Sequence, residues 1–357
     1  MAGSLGLLGA AVLAAAAVCL GSGCSTVGYY AQAAGGHLEI LSKAQPVKDI
    51  VDDPATPEPL RERLKLSQRL RDFAISELHL PDNGSYRRYA DLQRDAVVWN
   101  VVAAPALALQ LKTWCYPLMG CAGYRGYFAK PEAEALATQL KAEGWETMVY
   151  GVPAYSTLGW TNWLGGDPLL NTFLNGPEID LARLIFHELA HQVAYAPDDT
   201  TFNESFATAV ERIGGRRWLA RQGDAAQAAR VDALDRRRAE FRALTQRTRQ
   251  ALEAVYTGPG DEASKTAAKA RVMAQLRAEL DTLKQGPWQG FTGYDGWVAR
   301  ANNASFGVLA AYNELVPQFE ALFEREGSDF TRFFARVKAL AALPKEERRR
   351  QLAALAP

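Results

Sequence analysis

The stretch LIFHELAHQ, residues 184–192, constrains this chain more than any other feature of its sequence. The chain has four histidines in 357 residues, and two of them, His187 and His191, lie here four positions apart. On a helix, such positions lie on one face about a turn apart, so both imidazoles can point at one cation. Glu188, rotated by about 100 degrees from His187, can reach a water molecule beside that cation. The sequence therefore predicts a metal-binding helix whose face is completed by a second element.

A carboxylate shortly downstream is the expected third ligand. A catalytic zinc site needs three protein ligands and one open position. Glu204 lies in TFNESFATAVERIG, residues 201–214, which again has a helical pattern. The intervening YAPDDT supplies the turn between the two helices, and its Asp198 and Asp199 are either rival ligands or caps of the second helix.

Polar residues on the second helix are expected to support the ligands rather than to bind the cation. Glu211 follows Glu204 by two helical turns and so shares its face. It is predicted to accept a hydrogen bond from a ligand histidine, which orients the imidazole. Thr208 and Asn203 are further candidates for this supporting role.

The H-E-x-x-H arrangement of residues 187–191 is typical of zinc peptidases. In that chemistry Glu188 is the general base that takes a proton from water and passes it to the leaving amine. A donor must stabilise the oxyanion of the tetrahedral intermediate. Tyr294 and Tyr312 are candidates, and aromatic core packing is the alternative explanation for each.

The N-terminus differs from the rest of the chain. Residues 5–23 are uncharged and apolar and are followed by Cys24, as in a bacterial lipoprotein signal peptide. Residues 1–23 are therefore predicted to be a signal peptide, and Cys24 the lipidated residue that anchors the protein to the membrane. An uncleaved anchor is the alternative. Either way we expect a location in the bacterial cell envelope, facing the periplasm.

The cysteines Cys115 and Cys121 flank a turn-like PLMG in TWCYPLMGCAGYRGYF. An oxidising compartment makes a disulfide bond between them plausible. Two reduced, buried cysteines are the alternative.

The remaining pattern predicts an α+β fold. Helical segments at residues 57–80 and 131–143 flank apolar strands, and the metal helix follows the last strand. Residues 216–285 are predicted to form a helical-hairpin insertion within one catalytic domain, residues 24–357, that ends in further helices. The 40 basic and 40 acidic side chains balance, so no nucleic-acid partner is indicated.

HELAH followed by NESFA resembles the gluzincin group of zinc metallopeptidases. Together with WNVVAAP, WCYPLMGCAGYRGYF and AYSTLGW, these motifs resemble a bacterial lipoprotein family named as zinc-dependent aminopeptidases. The resemblance implies a zincin-like core with a small mixed sheet, and one Zn²⁺ held by His187, His191 and Glu204. It also implies a peptide substrate whose backbone pairs with the edge strand before the metal helix. Tyr155, Ser156 and Thr157 lie at that place.

The mode of cleavage stays open at the level of sequence. An aminopeptidase must hold the free ammonium group of its substrate with an acid, and Glu178, Asp180 and Asp167 are equal candidates. An endopeptidase of the same mechanism is an alternative. A second alternative is a non-catalytic lipoprotein that binds a partner through the helical hairpin and uses zinc as a brace.

Overall fold

The computed structural model describes residues 24–116, 120–154, 166–309 and 315–355. It confirms a mixed α+β fold, mostly helical with small sheets. The helices are α1 Cys24–Lys43, α2 Val47–Asp52, α3 Glu58–Ser76, α4 Lys130–Ala142, α5 Asn171–Leu174, α6 Glu178–His191, α7 Thr200–Gln222, α8 Ala225–Thr257, α9 Glu262–Gln285, α10 Asp295–Arg300, α11 Asn303–Leu309, α12 Val316–Arg325, α13 Phe330–Ala341 and α14 Lys345–Ala353. The strands are β1 Gln45–Pro46, β2 Arg88–Ala90, β3 Val98–Ala104, β4 Trp114–Tyr116, β5 Gly120–Ala122, β6 Arg125–Tyr127, β7 Glu146–Val152 and β8 Leu169–Leu170.

The central sheet has the order β6-β3-β7, and both neighbours run antiparallel to β3. Alternate residues of β3 point to opposite faces. Val101 and Ala103 pack with α4, whereas Val102 and Ala104 pack in a cluster with Ala304 of α11. Because helices cover both faces, the part of the strand after Asn100, residues 101–104, is continuously apolar. β7 lies at an edge of this sheet and precedes α6 in the chain.

The two other strand groups are small. β2 pairs with β1 and with β8 to form a second sheet. β4 and β5 form a hairpin in which Cys115 lies opposite Cys121. The two cysteines form a disulfide bond.

The helices α6 and α7 pack closely, and two glycines allow it. A Cβ atom at Gly214 would lie 2.7 Å from Leu78 Cδ1 and 2.8 Å from Phe186 Cδ2, and one at Gly215 would lie 3.0 Å from Arg183 Nε. The change of composition after these glycines predicts that the helical hairpin starts there, and this boundary is wrong. α7 continues through them to Gln222, because the missing side chains let it pack closely against its neighbours.

The hairpin itself is formed by α8 and α9. α7 ends where Gly223 adopts a left-handed conformation, with φ of 70°, which glycine reaches without steric penalty. The hairpin has its own apolar cluster, in which Leu244, Leu276 and Trp288 are buried. No helix in the described ranges combines the length and apolar character needed to cross a bilayer. The predicted signal peptide lies outside those ranges, which begin at Cys24.

Candidate metal centre

The last turn of α6 and the first turn of α7 bring three potential ligands together. His187 and His191 lie on α6, and Glu204 lies on α7. One donor atom from each lies within 4.8 Å of the others, and these residues form the one such group of three or more among the described residues. The three side chains could therefore hold a metal ion.

The distances between the donors suit a small tetrahedral cation. The Nε2 atoms of His187 and His191 lie 3.2 Å apart. The Glu204 carboxylate approaches His187 Nε2 to 3.4 Å and His191 Nε2 to 3.7 Å. Bonds of about 2.0 to 2.1 Å in a tetrahedral zinc site place neighbouring ligand atoms about 3.4 Å apart. Calcium, which prefers six to eight oxygen ligands, fits this nitrogen-rich set poorly.

The turn between α6 and α7 is held by buried polar side chains. Asn203 donates to the Ala196 carbonyl and accepts from the Ala196 amide, both at 2.8 Å. It thereby supports the turn before Glu204 rather than a ligand side chain. Asp199 caps α7 by accepting from the Phe202 amide and is bound by Arg348 at 3.1 Å.

Glu211 orients the first ligand. Its Oε2 atom lies 2.8 Å from His187 Nδ1, so Nδ1–H can donate to the carboxylate while Nε2 faces the other ligands. The second ligand lacks such support, because His191 Nδ1 is buried and has no hydrogen-bond partner in the described part of the chain. Thr208 is buried and lines the neighbouring cavity. Its position therefore makes it part of the cavity wall rather than a support for a ligand side chain.

Electrostatics at the three ligands favour a positive charge. Burial lowers the pKa of His187, but hydrogen bonds to Glu204 and Glu211 outweigh it and raise the pKa to about 10. Burial and the neighbouring His187 lower the pKa of His191 to about 4. Burial raises the pKa of Glu204, but His187 and His191 lower it overall. The carboxylates thus hold a proton on one imidazole, and a metal cation would satisfy the same demand for positive charge.

A cavity of about 580 Å³ opens beside these ligands. Its lining includes His187 and Glu188 from α6, so it borders the side of the centre that carries the predicted base. The end of β7 contributes Val152 and the following Pro153 and Ala154. The predicted edge-strand residues Tyr155, Ser156 and Thr157 lie outside the described residues.

Tyr294 does not lie in the lining of this cavity. Its ring stacks on Phe241 at 3.8 Å between centroids, within the aromatic cluster of the hairpin. Burial raises its pKa, and Arg238, Arg242 and other arginines oppose that shift. Its described surroundings are therefore aromatic rings and arginines. Tyr312 lies outside the described residues.

Two other tyrosines lie within electrostatic range of the centre. Tyr86 is buried with φ of 63°, and its pKa is raised by burial and then by Glu188 and Asp167. Tyr124 is half-exposed, and its pKa is raised by partial desolvation and then by its neighbours, Glu204 among them. Sequence reasoning missed both, because neither belongs to a motif or follows the metal helix.

The acids proposed for ammonium binding have separate environments. Glu178 accepts a hydrogen bond from Trp218 Nε1 at 2.7 Å. Asp180 lines the cavity and pairs with Arg238 at 3.3 Å. Asp167 is buried, and its carbonyl accepts from the Tyr86 amide at 2.7 Å.

Comparisons with known proteins identify the family. No curated protein and no solved structure matches the chain significantly. Residues 28–352 match the sequence model of a family described as "Putative aminopeptidase". That range includes the central sheet, both metal helices and the hairpin. Because the match covers most of the chain, the protein belongs to this aminopeptidase family.

Proposed function

We propose that the protein is a zinc-dependent aminopeptidase that hydrolyses the N-terminal peptide bond of its substrates. One observation carries the proposal. The donors of His187, His191 and Glu204 converge at the spacing of tetrahedral zinc ligands, with Glu188 beside them in the lining of a cavity. Membership of the family supports a peptide substrate.

The residues divide the work of hydrolysis among them. A bound zinc ion would supply Lewis acidity and a water of lowered pKa. Glu188 takes a proton from the attacking water and delivers it to the leaving amine. Glu211 keeps His187 in the tautomer and orientation that present Nε2 to the centre. Three ligands leave one position open, which a structural site would close with a fourth ligand.

A tyrosine hydroxyl is the proposed donor to the oxyanion. Burial and then Glu188 raise the pKa of Tyr86, and partial burial and then neighbours that include Glu204 raise that of Tyr124. The charges that act on Tyr294 are instead arginines and Asp235. We therefore favour Tyr86 or Tyr124 over Tyr294 for this role.

The location is proposed from the N-terminus. The apolar segment before Cys24 supports export and lipid anchoring to a bacterial envelope membrane. The enzyme would then act on peptides in the periplasm. Mass spectrometry of the mature N-terminus tests this proposal, because a diacylglyceryl mass on Cys24 is expected and an unmodified residue would contradict it.

Digestion of a mixed peptide library, read by mass spectrometry, tests the function. The purified full chain, loaded with zinc, is compared with a Glu188→Gln variant and with Glu143→Gln, which alters an exposed glutamate at the C-cap of α4. We expect loss of single N-terminal residues with the parent and Glu143→Gln proteins, and loss of at least about 100-fold in rate with Glu188→Gln. Internal cuts that depend on Glu188 would establish an endopeptidase. Absence of cleavage by a zinc-loaded protein would refute the proposal.

A further inference from the structure

The helical hairpin forms part of the cavity beside the metal centre. Residues of α8 line the cavity together with residues of α6 and α7. The two walls are joined by Arg183, whose guanidinium donates to both carboxylate oxygens of Asp235 at 2.8 and 2.6 Å. Arg183 lies one helical turn before His187. The hairpin is therefore attached to the metal helix itself.

Five arginines line the cavity. Its arginines come from three helices and are Arg183, Arg212, Arg216, Arg238 and Arg242. Four acidic side chains of the lining already have cationic partners, namely Asp235 with Arg183, Asp180 with Arg238, Glu320 with Arg216, and Glu211 with His187. The fifth acid, Glu188, is the predicted base. Two of the five arginines are in none of these pairs.

Arg212 and Arg242 are those arginines. Neither forms a hydrogen bond or an ion pair with any residue that the structure describes. Both are partly buried. The pKa of Arg242 is lowered by burial and by the charges of Arg212 and Arg238, whereas Tyr294 and Asp235 oppose this shift. Two guanidinium groups that repel each other in a cavity form a receptor for an anion, since burial of like charges is unfavourable until a counter-ion binds.

We propose that Arg212 and Arg242 bind a carboxylate of the peptide substrate. Arginine matches a carboxylate with two parallel hydrogen bonds, and partial burial strengthens the pair. The inference rests on the proposed function, because it takes the occupant of this cavity to be the peptide cleaved with the help of Glu188.

The size of the cavity limits where that carboxylate lies in the substrate. A sphere with the volume of this cavity, about 580 Å³, would be about 10 Å across, the length of about three extended residues. The carboxylate is therefore within about three residues of the bond that is cleaved. It belongs either to the C-terminus of a short peptide or to an acidic side chain close to the scissile bond.

Isothermal titration calorimetry with the zinc-loaded Glu188→Gln full chain separates binding from hydrolysis. The probes are trialanine, trialanine amide, and alanyl-glutamyl-alanine amide. We expect at least one of the two peptides that carry a carboxylate to bind at least about tenfold more tightly than trialanine amide, a factor that corresponds to about 1.4 kcal/mol. Preference for trialanine identifies a C-terminal carboxylate, and preference for the glutamyl peptide identifies an acidic side chain. Equal binding of all three peptides would overturn the proposal.

Substitutions assign the preference to the two arginines. We expect Arg212→Gln and Arg242→Gln to remove the preference for a carboxylate. Arg236→Gln, on the exposed side of α8, the helix that carries Arg242, should retain it. The variants should fold, because each removes repulsion from the cavity, and their melting temperatures should match or exceed that of the parent. A preference that survives in the Arg212/Arg242 double variant would refute the assignment.

The two proposals can fail separately. A carboxylate preference in binding, without any cleavage by the parent enzyme, would refute the peptidase and keep the anion site. Cleavage by the parent enzyme that depends on Glu188, without any carboxylate preference, would do the reverse.

Discussion

Substitution of Asp235 by alanine should destabilise the protein by removing the partner of a buried arginine. The Arg183 side chain is 6% exposed and that of Asp235 33% exposed. Arg183 also lies against Gly215, where its Nε atom is 3.0 Å from the position that a Cβ atom would occupy. The guanidinium is therefore confined and cannot simply swing into water when its partner is lost.

The expected cost follows from this burial. Removal of one partner of a buried ion pair costs about 3 to 5 kcal/mol, because the other charge stays buried. Asp235 is one-third exposed, so water can replace part of the carboxylate. We therefore expect a loss of about 2 to 3 kcal/mol in the free energy of unfolding.

Urea denaturation at neutral pH measures this loss as a lower midpoint at an unchanged m-value. Asp232→Ala, an exposed position on the same helix, is the matched control and should stay within about 0.5 kcal/mol of the parent. A double variant, Arg183→Met with Asp235→Leu, should recover most of the loss, because apolar replacement of a buried pair is often neutral.

The pH dependence gives a second readout. Burial raises the pKa of Asp235, but its hydrogen bonds with Arg183 outweigh this and lower it overall. The contribution of Asp235 is therefore present above the unfolded pKa of about 4 and is lost as the pH falls through the lower folded value. The difference between parent and Asp235→Ala should shrink in that acid range. A loss below about 0.5 kcal/mol at neutral pH would refute the importance of the pair.

Three further predictions concern the metal centre and its two helices. Gly214→Ala should destabilise the protein by up to about 2 kcal/mol, since crowding outweighs the gain in helix propensity. Gly35→Ala should stabilise the protein, because a Cβ atom there would meet no atom of the described residues within 4 Å beyond its chain neighbours and the backbone of its own helix. Equal effects of the two substitutions in thermal unfolding would contradict the packing argument. Asp199→Asn should lower stability at neutral pH, because arginine hydrogen bonds lower the pKa of Asp199 despite its burial. The difference should shrink as the pH falls below about 4 and through the lower folded pKa; a pH-independent difference in urea unfolding would argue otherwise. Glu204→Gln should no longer retain one zinc ion per chain after dialysis, as measured by elemental analysis. Glu211→Gln should retain zinc with about 10- to 100-fold lower affinity. Full zinc content in Glu204→Gln would show that Glu204 is not a ligand.

Short-range spacing in the sequence is enough to predict the local parts of the centre. The spacing of His187, Glu188 and His191 places their side chains through the helical period alone. The same period relates Glu204 to Glu211, and the structure places Glu211 against His187. The order of helical segments and apolar strands along the chain also predicted the α+β class. These features depend on separations of a few residues, which backbone geometry specifies.

The residues around that centre that are distant in the chain could be identified only from the packing of the helices, and not from the sequence. Arg183 and Asp235 are 52 residues apart in the chain, and their contact brings α8 to the metal helix. Gly214 marked a boundary in the sequence but became a close-packing position within α7. The presence of both Arg212 and Arg242 in the lining of one cavity likewise depends on how three helices pack. Such contacts are decided by the complementarity of whole helices, for which a single sequence has no local periodic signal.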